Sequence, residues 1–208
     1  MAIRKDARLL ISIVALGLLA ACAAPVSEPE QTGFLSDYSK LETKEKGYIG
    51  YIGDRAIEYD KFMVDPIEIL FRRDPEDQKF SDEELEELKA YFIKEATEQL
   101  TKDDGYAVVT EPGPGVLRLR LGITEVDASI GALNVVLTTK ITGAGLGGAS
   151  AEGEAVDSVT GEQIAAMVRW ESGSRIARAG LTKMGDAKLA INKWTRDWRQ
   201  NIDDVHGR

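Results

Sequence analysis

The sequence predicts an α+β fold: a small antiparallel or mixed sheet with helices packed on one face, preceded by an export signal and a tether. Three observations predict it. Apolar residues recur at helical spacing from Ser81 to about Gly105, and again from about Asp186 to Asp204. Between these segments Leu117, Leu119, Leu121 and Ile123 alternate with Arg118, Arg120 and Thr124, the period of a half-buried strand. A second strand pair, "GGASAEGEAVD" and "QIAAMVRW", flanks the turn Ser158-Val159-Thr160-Gly161. Hairpins beside two helices, without regular βα alternation, describe α+β packing in one layer on another.

The chain has 208 residues, a formal net charge of −9 and a pI near 4.8. That length suits one domain plus appendages. The acidic balance speaks against nucleic acid as a partner and against electrostatic docking on anionic lipid. One cysteine, Cys22, excludes an internal disulfide, and one histidine, His206, falls in what reads as a frayed C-terminus. No metal site, catalytic constellation or cofactor is expected.

Residues 1–21 read as a cleaved signal peptide. Arg4, Lys5 and Arg8 make a basic start, and Leu9 to Leu19 make an apolar run. The run is shorter than the roughly 20 residues that cross a bilayer. Leu19-Ala20-Ala21-Cys22 resembles the lipobox of bacterial lipoproteins. The competing reading is an ordinary secretory signal with a chance cysteine. The lipobox resemblance makes Cys22 the lipid-attachment residue, its thiolate being a good nucleophile for alkyl transfer. Several acyl chains at about 0.8 kcal/mol per buried methylene would hold the chain on a membrane. The membrane is therefore an expected partner, through Cys22. By the same resemblance, Ala23 after the cysteine implies the periplasmic face of the outer membrane. Cleavage removes a net charge of +2 and leaves a more acidic chain.

Residues 22–33 hold "CAAPVSEPEQTG", the lipidated end and a flexible tether. Residues 34–208 form a single domain. At its start, Phe34, Leu35, Tyr38 and Leu41 suggest a short helical turn that packs on its own domain rather than on a partner. "YIGYIGD" gives no assignment. "EYDKFMVDPIEIL" reads as a strand broken at Pro66, which donates no ladder hydrogen bond.

The first helix starts at Ser81, with Ser81 and Glu84 as a capping box and Phe80 with Leu85 as a hydrophobic staple. Leu85, Leu88, Phe92, Ala96 and Leu100 make its apolar face, and Gly105 is its expected stop. Tyr106 to Val109 read as a short strand and Pro112 to Gly115 as a turn. In the last helix Ala187, Ile191, Trp194, Trp198, Ile202 and Val205 share one face, and the tryptophans are expected in the core.

Several motifs tempt and fail. Gly143, Gly145 and Gly148 spell a G-x-G-x-x-G, but strand-like sequence follows instead of the helix that receives a pyrophosphate. Asp157 and Ser158 fit a turn, with no histidine near to activate the serine. Glu152 and Glu154 face one side of a strand and are expected on a solvated face; their rival reading is a carboxylate pair for glycoside hydrolysis. Arg72-Arg73 is an isolated basic pair.

"GFLSDYSKL", "YDKFMVDPIEI", "YAVVTEPGPGVLRLRLGITEV" and "EGEAVDSVTGEQIAA", with a Trp-containing final helix, are similar to bacterial lipoproteins of domain of unknown function family 3313. The resemblance runs from about Gly33 to Ile202 and transfers no catalytic residue. The element order also looks like small periplasmic α+β domains that serve as accessory or partner-binding modules. The expected function is a non-enzymatic envelope module that binds an envelope protein. The rivals are an envelope hydrolase acting on peptidoglycan or lipid through carboxylates, and a structural spacer.

Overall fold

A computed structural model describes residues 31–71, 80–127, 148–172 and 182–208. Its described residues form one mixed eight-stranded sheet and two long helices, the α+β class expected. The strands are β1 (Glu42–Glu45), β2 (Tyr48–Ile52), β3 (Lys61–Val64), β4 (Glu68–Ile69), β5 (Ala107–Val108), β6 (Val116–Asp127), β7 (Gly148–Asp157) and β8 (Gln163–Ser172). The helices are α1 (Asp82–Thr101) and α2 (Gly185–His206). The sheet order is β1-β2-β8-β7-β6-β3-β5, with β4 also beside β6. β3 and β4 run parallel to β6 on either side of Pro66, so the expected break is real. "YIGYI" turns out to be β2, an interior strand between β1 and β8.

α1 follows its sequence closely. Ser81 Oγ accepts from the Glu84 N–H, and the Glu84 carboxylate accepts from the Ser81 N–H. Leu85, Leu88, Phe92, Ala96 and Leu100 are its buried residues. Phe80 and Leu85 are buried in one cluster, as a staple requires. The stop differs from the expectation. The helix ends at Thr101, and Asp103 and Asp104 take the left-handed conformation (φ 53 and 52°). Gly105 is needed for a different reason: a Cβ there would lie 2.2 Å from the Leu100 carbonyl oxygen.

α2 runs to His206, so the expected frayed end is ordered helix. Gly207 (φ 67°) supplies the left-handed cap, and its N–H reaches the Asp203 and Asp204 carbonyls. The His206 ring lies 5.3 Å from the Tyr106 ring. Trp194 is 1 % exposed and Trp198 half-buried, both beside Phe92 with ring centroids at 6.3 and 5.7 Å.

β6, β7 and β8 form an antiparallel meander. Its second turn is as expected. Asp157 accepts from the Val159 and Thr160 N–H groups, Gly161 has φ 76°, and the Ser158 hydroxyl bonds the Gly113 backbone. Both helices cover one face of the sheet. There Leu121, Ile123, Ala149, Ala151 and Met167 meet Phe92, Ile191 and Trp194. The opposite face is covered by residues 32–41, which form no helix. Leu35 is buried there against Ile49, Ala166 and Val168, with Phe34, Tyr38 and Leu41 alongside. This segment, the strap, packs on its own domain, as expected from Phe34 onward, although it is irregular. Among the described residues, no helix is long and apolar enough to cross a membrane.

Candidate functional site

Strand β7 carries the positions that matter. "AEGEA" alternates, so Ala151, Gly153 and Ala155 point to the helices while Glu152 and Glu154 point to the strap. The shared face of the two carboxylates was legible in the sequence. Their environment was not. The expected solvated face is in fact roofed, and Glu152 and Glu154 are 0 % and 3 % exposed.

A buried carboxylate costs several kcal/mol unless its oxygens are satisfied. Here they are. Glu152 accepts from the Thr32 N–H at 3.0 Å, from the Thr32 hydroxyl at 2.9 Å and from the Tyr38 hydroxyl. Glu154 accepts from the Ser36 N–H (2.8 Å) and hydroxyl (2.9 Å), from Arg120 Nη1 (2.5 Å) and from Gln163 Nε2 (2.8 Å). Tyr38 organises the strap around this contact. Its hydroxyl also accepts from the N–H groups of Gly33 and Leu35. Burial, and then the bond to Glu152, push its phenol above the ordinary value. The Arg120 guanidinium lies over the Phe34 ring at 5.0 Å.

Each glutamate thus clamps the strap. Thr32, Ser36 and Tyr38 were not singled out as glutamate partners. They lie more than 100 positions away in sequence, and short polar residues near a terminus carry no pattern that points to a strand.

Asp157 sits at the end of the same strand. Its carboxyl is pulled down to about 2, by the Thr160 N–H and then by the Tyr59 hydroxyl and the Val159 N–H. Tyr59 is in turn pushed up to about 12 by burial and by its bond to Asp157. These shifts have a structural cause, a capped turn. Ser158 is engaged with the Gly113 backbone.

The helix side of the sheet holds a cavity of about 120 Å³. Its floor includes Gly153, Ala155 and Ala165, and its roof Trp198, Ile202 and Val205. The lining is almost wholly apolar.

Among the described residues, no group of three or more His, Cys, Asp or Glu is placed to hold a metal ion. Cys22, Gly143, Gly145 and the pair Arg72-Arg73 lie outside the described residues. Gly148 opens β7, a strand and not a helix.

A mixed sheet with two helices on one face and a clamped N-terminal strap on the other defines an α+β domain of one compact layer pair. The chain belongs to the family described as "Protein of unknown function (DUF3313)", whose model matches residues 30–198. A search of curated proteins finds no match. Among solved structures, similar chains include the PelC dodecamer from Paraburkholderia phytofirmans (11 % identity, 76 % of this chain and 95 % of that one, TM-score 0.45). Another is protein XCC0632 from Xanthomonas campestris (11 %, 71 % and 85 %, TM-score 0.44). A third is the hypothetical protein CT253 from Chlamydia trachomatis (12 %, 69 % and 98 %, TM-score 0.41). These likenesses carry nothing about function.

Proposed function

We propose that this chain is a lipoprotein held through acyl chains on Cys22 at the periplasmic face of the outer membrane. Its domain is a non-enzymatic module that binds another component of the envelope. One observation carries the second half: the two carboxylates that the hydrolase reading would use are spent on the strap, each satisfied by donors and closed to water. A general acid or base needs a face open to substrate, and Glu152 and Glu154 have none. The first half is supported by the signal, the lone cysteine and the small residues before it.

The test has two arms. Labelled palmitate should enter the wild-type protein in a Gram-negative host and not Cys22→Ser; no label in wild type removes the anchor. In-cell crosslinking from exposed positions should capture one defined envelope component. A folded single-carboxylate variant that reproduces the whole deletion phenotype would instead favour the hydrolase.

A further inference from the structure

We propose that the cavity between the sheet and α2 binds the alkyl chain of a membrane lipid. This deepens the reading of the domain as a binding module and rests on it.

The space exists because the floor is built from the smallest residues. Gly153 lines it on β7 beside Met167, its register partner on β8. At Gly153 itself Leu121 and Met167 close in, since a Cβ there would come within 2.7 Å of Leu121 Cδ2 and 3.1 Å of Met167 Cε. Ala155 and Ala165 continue the floor one pair further along. The apolar side chains of Trp198, Ile202 and Val205 stand over this floor and stay only half-buried. They roof the space without filling it. About 120 Å³ is close to the roughly 150 Å³ of dry apolar cavities that take a six-carbon ring.

The lining also selects the chemistry of the guest. Its buried walls include Phe62, Leu100, Leu117 and Leu121. The polar groups among them are already engaged. Thr195 Oγ1 donates to the Ile191 carbonyl at 3.0 Å, Trp198 Nε1 to Met167 Sδ at 2.7 Å, and Glu154 accepts on the far face. A polar guest that reached the buried walls would lose its water for few partners. Asn201 and His206, both part-exposed, lie on the C-terminal half of α2 beside the roof. Ile52, 40 % exposed, ends β2 on the same cavity. An apolar interior with polar groups and open apolar surface at its rim suits an amphiphile whose chain enters and whose head stays in water.

A peptide segment fits less well. β2, β7 and β8 are all interior strands, so their backbone groups are taken and offer no edge for an added strand.

The experiment uses the full-length protein in nanodiscs of phosphatidylethanolamine and phosphatidylglycerol. The probe is a fatty acid carrying a diazirine near its methyl end. After irradiation, adducts should map to the α2 segment 198–206 and to residues 48–56. Ala165→Leu fills the floor and Ile202→Trp fills from the roof; each should cut those adducts at least fivefold, as should excess unlabelled fatty acid. Adducts spread over the surface and unchanged by both variants overturn the proposal. So do cavity adducts that appear only in Cys22→Ser, because the anchor's own chain would then be the guest. A protein partner captured elsewhere with an unlabelled cavity leaves the binding-module reading standing and removes the lipid.

Discussion

Replacing Glu154 by Ala should unfasten the strap, and the structure sets the size of the effect. Four donors lose their acceptor. They do not count equally. Arg120 is a third exposed and can turn its guanidinium to water, so its loss costs little. Ser36 is an exposed residue, and its groups reach water once the strap lifts. Gln163 cannot escape so easily. It is buried, and its Oε1 already has no partner, so losing Glu154 leaves the whole amide unsatisfied. An orphaned buried polar group costs about 1–3 kcal/mol. With the packing of Leu35 and Phe34 weakened as the strap loosens, the total should be about 2–4 kcal/mol. At a urea slope of about 2 kcal/mol/M, the midpoint should fall by about 1–2 M. Hydrogen exchange supplies the local readout, since the Ser36 amide donates to the lost carboxylate. Glu162→Ala is the control. Glu162 pairs with Arg55 on the surface, and such pairs are worth about 0–1 kcal/mol. If Glu154→Ala moves the midpoint no further than Glu162→Ala, and the Ser36 amide keeps its protection, the clamp is not what holds the strap.

Two further predictions concern the core and acid stability. Trp194→Ala should cost about 3–5 kcal/mol, because the indole is buried against Phe92, whereas Ser81→Ala removes only a cap and should cost about 0.5–2 kcal/mol; equal losses in denaturant would show α2 to be peripheral. The Asp157 carboxyl is held below its ordinary value in the folded chain, so its contribution is fully present above about pH 4 and is lost as pH falls towards about 2. The stability gap between wild type and Asp157→Asn should therefore close across that window, and a gap that persists unchanged at pH 2 counts against the capped turn.

Much of the architecture was legible because its signals are local. The Ser81–Glu84 box and the 3.6-residue recurrence of Leu85, Leu88, Phe92, Ala96 and Leu100 lie within one helix, where each residue's neighbours are three or four positions away. Likewise the turn at Ser158 to Gly161 needs only its own side chains and one glycine. β2 was not legible. "YIGYI" becomes a strand because β8 and β1 flank it in space, and β8 lies more than 100 residues further along the chain.

The surroundings of Glu152 and Glu154 show the same division. Strand periodicity alone put both on one face, and Ala151, Gly153 and Ala155 on the other. Nothing in that pattern says what lies over a face. Acidic residues in an acidic chain read as solvated until Thr32, Ser36 and Tyr38 arrive from the far end of the sequence to donate to them. The cavity behind the same strand depends on the reverse fact. Small residues at alternate positions were visible in the sequence, but whether a helix fills the space above them is a matter of where α2 docks. Local hydrogen-bond patterns and side-chain periods are written residue by residue. Which faces are covered, and by what, is decided only when distant segments pack.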